Sequence, residues 1–376
     1  MMKRLTAFAA AGAAMMAMSS TAQAQHLFST WLEPNHVITR YAHIEWAERL
    51  SEATNGEIDF EIFMGASLIP AVSTMQGIAD GLAQGGFHTG TYTPSDLPIN
   101  NALADMGFIV PDPFVMAFAS ADFMMNEAIG YNEWRENGVI YAGGYSVPEY
   151  FFLCRRPMRT LEDFRGARVR MPGGGWARFG EAIGTVNVNI PSNEIYTAFD
   201  RGSVDCTASD ASHLTGGSTI MEVTRGVTTL SMSPFYAGVT WALNPDFWAG
   251  LSAEQRRIVL DESARSMARL QIAYSLEANE ALELARERGI EIIEPDATLQ
   301  EAYDQWVADG VGDMVGIARE RHGIEDPEAL FASFQKYIDK WVAILGEIDV
   351  YDEDALIAVS REHLYDLIDE NSFGLN

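Results

Sequence analysis

The chain has little of what marks an enzyme, a nucleic-acid-binding protein or a membrane protein. Its 376 residues contain only 25 lysines and arginines against 53 aspartates and glutamates. A surface with this acidic excess repels nucleic acid and anionic membranes. After residue 24 no apolar run reaches the ~20 residues of a spanning helix, and no His-Glu-x-x-His, Gly-x-Ser-x-Gly or Cys-x-x-Cys motif occurs. We therefore predict no enzymatic activity, no cofactor, no metal site, no nucleic-acid partner and no membrane insertion.

Cysteine is also scarce, because only Cys154 and Cys206 are present, both in strand-like segments. Two cysteines in an exported chain favour a disulfide. Two buried free thiols are an equal alternative, since neighbouring strands need not bring the Cα atoms to the required separation of roughly 4.4 to 6.8 Å. The sequence leaves both states open.

Residues 1–24 are predicted to be a signal peptide. Lys3 and Arg4 form a basic start, residues 5–18 an apolar segment too short to span a membrane, and Ala22 to Ala24 a cleavage site of small residues. We expect cleavage after Ala24 and a mature protein in the periplasm.

Strand-like and helix-like segments alternate between residues 26 and 92. Residues 57–63 alternate polar and apolar side chains, which is typical of a strand with one buried face. The β-α-β-α-β order indicates an α/β lobe with a mainly parallel sheet. Because ligands bind beyond the carboxyl ends of such strands, Trp31 and Glu33 after the first strand and Tyr92 after the third are candidate site residues.

Arg170 is the central residue of the prediction. It ends a predicted strand and is followed by Pro172 and three glycines, Gly173 to Gly175, which leave space beside it. A guanidinium group can hold a carboxylate or sulfonate through two parallel hydrogen bonds. The alternative is an exposed arginine paired with a nearby acid. The glycines lack the Lys-Ser/Thr ending of a phosphate loop, so a turn that allows close approach is the better interpretation.

The order of motifs around Arg170 resembles the DctP-type solute-binding subunits of tripartite ATP-independent periplasmic (TRAP) transporters. The likeness rests on Leu-Glu-Asp-Phe-x-Gly-x-x-Val-Arg at 161–170, a helix ending at Gly184, Glu194 with Tyr196, and Gly-x-Val-Asp at 202–205. It implies a two-lobed α/β periplasmic binding protein fold, a small organic acid as ligand, Arg170 as its clamp, and TRAP membrane subunits as partners. We further expect a monomer.

The resemblance carries over to the other site residues only in part. Ser209 stands where many relatives place a ligand-binding asparagine, and Tyr150 where sialic-acid-binding relatives have a second arginine. A metal-bridged acid, held by Glu149, Ser209 and Asp210, is ranked below direct binding. The predicted ligand-binding residues are Arg170, Tyr150, Ser209, Asp210, Trp31, Glu33, Tyr92, Tyr236, Trp176 and Arg178, with Arg178 as a possible second positive charge and the aromatic residues as walls.

The longest uninterrupted segment, 252–288, predicts a helix of about 55 Å that lies across both lobes. Ser252 with Gln255 forms its capping box and Gly289 ends it. Strands 226–232 and 238–243, with a turn at 233–236, are expected to return the chain to the first lobe. The predicted first domain is 25–148 plus about 235–274, and the second is 149–234 plus about 275–376.

Two other functions remain open from the sequence. A secreted hydrolase of unrecognised type could use Glu33, His36 and Asp210. A periplasmic sensor subunit could use the same fold to bind a solute for signalling.

Overall fold

The computed structural model describes residues 25–110 and 112–375, so the predicted signal peptide lies outside the described residues. In this part of the chain ten strands form one mixed sheet. The strands are β1 His26–Ser29, β2 Phe60–Phe63, β3 Gly85–Thr89, β4 Ile140–Tyr141, β5 Gly144–Cys154, β6 Arg168–Arg170, β7 Val186–Val188, β8 Cys206–Ser209, β9 Gly226–Leu243 and β10 Glu291–Ile293. Their main order is β2-β1-β3-β9-β5-β8-β6-β7. We call the end with β2, β1 and β3 the first lobe and the end with β8, β6 and β7 the second.

Helices pack around this sheet, and none of those described is long and apolar enough to cross a membrane. They are α1 Glu45–Ala53, α2 Thr74–Ala79, α3 Pro98–Asp105, α4 Pro113–Asn126, α5 Ala128–Glu136, α6 Leu161–Phe164, α7 Gly173–Ala182, α8 Ile195–Asp200, α9 Pro245–Gly250, α10 Ala253–Glu287, α11 Ala297–Arg321, α12 Pro327–Leu345 and α13 Glu353–His363. A π-helical turn, Thr39–Ile44, precedes α1.

The first lobe has the parallel arrangement that the alternation predicts. β1 pairs in parallel with both β2 and β3. Phe28 packs over Gly85 of β3, where a Cβ atom would lie only 2.8 Å from a ring carbon. Glycine at this position therefore leaves room for the Phe28 ring.

The predicted turn at 233–236 is wrong, because β9 is one strand of 18 residues. Proline cannot donate to a sheet ladder, which is why Pro234 favours a turn in the sequence. In the structure Pro234 pairs with Glu149, and the register between β5 and β9 shifts on both sides of that pair. The irregular pairing tolerates the missing N–H. As a result, β5 and β9 run continuously between the two lobes.

The two cysteines form a disulfide. Cys154 on β5 lies directly opposite Cys206 on β8, with the Cα atoms 4.1 Å apart. β8 in turn pairs with β6, where Thr207 is the partner of Arg170. The bond therefore joins the strands that carry the candidate arginine to the strand that crosses between the lobes.

Removing the disulfide is expected to lower the free energy of unfolding by ~4 kcal/mol, because the bond closes a loop of 52 residues in the unfolded chain. The double variant Cys154→Ala/Cys206→Ala, compared with the oxidised protein by urea denaturation, measures this loss. Adding a reductant to the double variant should change nothing. An unfolding midpoint equal to that of the oxidised protein would contradict the expectation.

The long helix α10 belongs to both lobes, as predicted. Its capping box is present, with the Ser252 and Gln255 side chains each accepting from the other's backbone N–H. At 1.5 Å per residue its 35 residues extend over roughly 52 Å. Val259 and Met267 in its first half join the larger apolar core, whereas Ala281 in its second half joins the smaller core around Phe199.

The C-terminal helices pack against α4, which lies in the predicted first domain. Buried Asp122 accepts hydrogen bonds from Lys340 Nζ (2.6 Å) and Trp341 Nε1 (2.9 Å), and the Phe118 ring stacks on Trp341. These contacts connect α12 to residues 113–126 rather than to 149–234. The predicted division, by contrast, placed α12 in the second domain.

Candidate functional site

Arg170 is buried at the end of β6, with 2% of its surface exposed. Its guanidinium donates to the carbonyl oxygens of Ile190 (3.1 Å) and Ala208 (3.2 Å), to Ser209 Oγ (3.5 Å) and to Tyr92 Oη (3.4 Å). All four acceptors are neutral. Among the ion pairs of the described residues none includes Arg170, so the charge is buried without a counterion, a costly state that an anionic ligand would relieve.

The backbone leaves room beside this arginine. Met171 and Pro172 turn the chain into α7, and Gly173 takes a left-handed φ of 77° that favours glycine. A Cβ atom on Gly173 would lie 3.3 Å from Thr91 and 3.4 Å from Phe235. The glycine therefore allows β6 of the second lobe to approach the loop after β3 of the first.

A partly open cavity of ≈30 Å³ lies where these elements meet, and Arg170 is one of its walls. That volume holds only about one water molecule, so an organic ligand needs the lobes to separate. Residues from both lobes and from α10 line the cavity: Trp31, Leu32, His36, Ile38, Phe87, Thr89, Tyr92, Tyr145, Val147, Tyr150, Arg170, Ser192, His213, Phe235 and Tyr274.

Tyr92 connects the two lobes across the cavity. Its hydroxyl oxygen accepts from the Ser192 backbone N–H (3.1 Å) and from Arg170 Nη2. Its ring packs against Trp31, with centroids 5.4 Å apart. One side chain of the first lobe thus contacts both the backbone and the arginine of the second.

Two histidines and an aspartate form a polar cluster at the cavity. Burial, and next the neighbouring His213, lower the pKa of His36 to about 3. Burial, and next the charge of Arg170, lower the pKa of His213 to about 3. Burial raises the pKa of Asp210, although hydrogen bonds from Ser212 oppose the shift. Both imidazoles are therefore neutral at neutral pH.

The sequence pattern of the DctP family, described as bacterial extracellular solute-binding protein, family 7, matches residues 28–311. The chain belongs to this family. Membership confirms the predicted resemblance and the prediction of a binding protein rather than an enzyme. A monocarboxylate 2-oxoacid-binding periplasmic protein of Nostoc sp. is 25% identical over 176 residues, which are 42% of this chain and 43% of that relative. The match thus covers less than half of the relative's length.

Solved TRAP solute-binding proteins share the fold of this DctP-family chain. One from Bordetella bronchiseptica, with bound (R)- and (S)-mandelate, is 22% identical with a TM-score of 0.70, covering 84% of this chain and 99% of its own. One from Rhodoferax ferrireducens with benzoate is 18% identical with a TM-score of 0.72, covering 85% and 99%. These matches confirm the predicted two-lobed fold with its long helix.

Four of the predicted site residues of the DctP-family protein line the cavity, namely Arg170, Tyr150, Trp31 and Tyr92. Two more lie beside it. Ser209 contacts Arg170, and Asp210 Oδ2 accepts from the hydroxyl of the cavity residue Tyr274 at 3.2 Å.

The other four predicted residues lie outside the lining. Arg178 pairs with Asp105 at 2.9 Å in a separate surface groove, so its charge is already compensated. Trp176 packs behind the wall formed by Tyr150 and Phe235, with ring centroids 5.6 and 4.7 Å away.

The last two predicted residues, Tyr236 and Glu33, also lie outside the cavity lining. Phe235 rather than Tyr236 faces the cavity, because successive residues of a strand point to opposite faces. Glu33 follows β1 but is half-buried and does not line the cavity.

The lining residues that were not predicted include three polar side chains, Tyr145, His213 and Tyr274. Tyr145 lies just before the predicted boundary between the domains at 148, and Tyr274 lies on the helix that we interpreted only as a spanning element. No motif marks any of the three.

A metal-bridged ligand finds no support in the arrangement of acids. Glu149 lines a separate groove with Tyr303 and Val307, away from Asp210. No group of three or more His, Cys, Asp or Glu side chains that could hold a metal occurs within residues 25–110 and 112–375.

Proposed function

We propose that this protein captures a small organic acid, a carboxylate or a sulfonate, in the cleft between its lobes and delivers it to the membrane subunits of a TRAP transporter. The observation that carries the proposal is the buried guanidinium of Arg170, which has only neutral acceptors and lies at a cavity between the lobes. The relatives with bound mandelate, benzoate and pyroglutamic acid support an acid as ligand.

The physical basis of binding is that Arg170 exchanges neutral hydrogen-bond acceptors for the anionic oxygens of the ligand. A carboxylate that takes the place of the Tyr92 and Ser209 contacts forms charge-assisted hydrogen bonds, roughly twice as strong as those to neutral oxygens. The aromatic walls, which include Trp31, Tyr150 and Phe235, offer flat apolar surfaces to a compact ligand body. Closure excludes water and strengthens the ion pair.

Motion of the lobes would give the membrane subunits a signal. β5 and β9 run between the lobes and α10 lies across both, so these three elements are the proposed hinge. A ligand that binds only the closed form shifts the population toward it. We propose that the mature protein binds its ligand and closes as a monomer in the periplasm. We also propose that residues 25–148, about 235–274 and 327–375 form one lobe and that the remaining residues form the other.

A thermal-shift screen of refolded, dialysed protein tests the proposal. The compounds are small carboxylates and sulfonates, with uncharged amides of the same carbon skeletons as matched controls. A ligand present at a hundred times its dissociation constant adds about 2.7 kcal/mol to the free energy of unfolding. We expect at least one acid to raise the melting temperature and its amide to have no effect. Equal shifts for acids and amides would reject an anion site.

Tyr92→Phe is expected to raise the dissociation constant of the bound acid about tenfold. The variant keeps the ring on Trp31 but removes the hydroxyl that accepts from the Ser192 backbone N–H across the cleft, a loss of ~1.5 kcal/mol in the ligand-bound form. Calorimetric titration measures the change. Tyr337→Phe is the matched control, because it removes a hydroxyl that contacts Glu127 far from the cavity. Equal affinities of the two variants would remove Tyr92 from the closure mechanism.

A further inference from the structure

The two lobes also meet away from the cavity, where α3, which follows β3, contacts α7, which follows β6. Asp105 is the last residue of α3, and its Oδ2 lies 2.9 Å from Arg178 Nη2 on α7. Both side chains are shielded from water, with 7% and 14% of their surface exposed. Removing one partner of a buried ion pair is strongly destabilising, unlike the loss of an exposed pair. This pair therefore favours the arrangement in which the lobes are together.

The Asp105 carboxylate has further favourable contacts at the same place. His322 follows α11, and its Nε2 lies 3.3 Å from Asp105 Oδ2. Because an ionised carboxylate only accepts hydrogen bonds, Nε2 is the donor. Oδ1 lies beside the first turn of α7, where a Cβ atom on Gly175 would be 2.9 Å from it. The partial positive charge of a helix N-terminus also favours a carboxylate here. The first lobe thus places an acid against the positive end of α7.

Gly175 allows α3 and α7 to approach this closely. A Cβ atom at Gly175 would overlap the ring of Phe108, which follows α3. Gly175 is helical within α7 and its φ is not positive, so its backbone does not demand a glycine. The glycine is therefore needed for the contact between the two lobes rather than for the local backbone.

This contact is coupled mechanically to the arginine of the cavity. β6 ends at Arg170 and α7 begins only three residues later, at Gly173. Trp176 in α7 packs against Phe235 of the cavity wall on one side and against Phe108 on the other, with ring centroids 4.7 and 4.4 Å away. The cavity is too small for an organic ligand unless the lobes separate. Separation would pull α7 away from α3 and break the ion pair.

We propose that Asp105 and Arg178 form a latch between the lobes, which holds the closed form and slows release of the bound acid without contacting it. In the open form water hydrates both charges, so the latch acts on the closed form alone. This inference rests on the proposed function, since it presumes that an acid binds in the cavity and leaves when the lobes open. It gives Arg178 a role in closure instead of the ligand contact that the sequence predicted.

The test is to measure how fast a bound acid associates and dissociates in Asp105→Asn and Arg178→Met. The probe is benzoate or, if benzoate does not bind, the acid with the largest shift in the thermal-shift screen. Stopped-flow fluorescence, with Trp31 in the cavity lining as reporter, gives both rate constants. We expect dissociation about tenfold faster in each variant and association within twofold of wild type. The double variant should dissociate no faster than either single variant, because both changes remove the same contact.

Asp122→Asn is the matched control for a general loss of packing. Asp122 is also a buried aspartate, and it accepts from Lys340 Nζ and Trp341 Nε1, but these contacts join α4 to α12. Its loss should lower the melting temperature of the free protein and leave the dissociation rate unchanged. A rise in that rate as large as in Asp105→Asn would overturn the latch.

Gly175→Ala tests the same contact without removing a charge. Alanine is the better helix former, so the free protein should melt no lower than wild type. The added methyl group overlaps Phe108 only when the lobes are closed, so dissociation should be at least tenfold faster.

Wild-type dissociation rates in Gly175→Ala, Asp105→Asn and Arg178→Met would overturn the latch and leave the proposed function in place. No binding of any acid by the wild-type protein would count against both.

Discussion

Arg170→Ala is expected to weaken binding of the acid ligand about a thousandfold. The guanidinium is the single buried cation of the cavity lining, so its loss leaves the ligand carboxylate buried with only neutral donors. Removing one partner of a buried, hydrogen-bonded charge pair costs ~4 kcal/mol, which corresponds to roughly three decades in the dissociation constant. The free protein should not lose stability to the same degree, because the unpaired charge is itself costly to bury.

Two matched variants separate charge from position. Arg168→Ala removes an exposed arginine on the same strand, whose partner is Asp205 at 2.7 Å, and should retain affinity. Arg170→Lys keeps the charge but cannot form two parallel bonds, and should lie between wild type and Arg170→Ala. Calorimetric titration gives all three dissociation constants. Retained affinity in Arg170→Ala would reject the clamp.

Acid is expected to destabilise the folded protein steeply below pH 6.5. Burial is the largest cause of the lowered pKa, about 3, of four histidines: His36, His43, His88 and His213. A lowered folded pKa gives stability that is complete above the unfolded value of 6.5 and is lost as pH falls through the folded value. Four protons are thus taken up on unfolding between pH 6.5 and 3.

Two buried acids oppose this loss. Burial raises the pKa of Glu133 to about 7 and also raises that of Asp210, so each favours the folded state as pH falls. Four histidines against Glu133 leave a net uptake of at most about three protons, or ~4 kcal/mol of unfolding free energy per pH unit, and Asp210 lowers this slope further. Urea denaturation between pH 7 and 5 measures this slope.

His43→Phe is the control for the acid prediction. The His43 ring packs against Phe28 and Phe87 at 4.8 and 5.5 Å, and its polar contact is with the backbone of Thr240. A phenyl ring should therefore fit, and the slope should fall by one proton, ~1.4 kcal/mol per pH unit. Stability independent of pH in this range would contradict the burial of the histidines as neutral groups.

Local patterns predicted the parts of the fold that depend on neighbouring residues. The strand and helix alternation of the first lobe, the strand that carries Arg170 and the capping box of α10 all have signals within a few residues. The continuous strand β9 has no such local signal, because Pro234 indicates a turn unless a partner strand with an irregular register tolerates the proline. That partner is ~85 residues away along the chain, since Glu149 lies on β5.

The site was predictable only to the extent that a motif marked its residues. Arg170 stood out through the glycines that follow it. Arg178 is only eight residues further on, but it forms an ion pair with Asp105 on α3, which is distant along the chain. His213 and Tyr274 reach the cavity through the packing of α10 against the segment after β8, an arrangement that no local pattern specifies.

The most direct test of the account is a crystal structure of the protein with the tightest-binding acid from the thermal-shift screen. We predict that both oxygens of the ligand's acid group accept hydrogen bonds from the Arg170 guanidinium, with the ligand body between Trp31 and Tyr150. A ligand bound elsewhere, such as the groove between Phe108 and Trp306, or one whose acid group does not contact Arg170, would contradict the account.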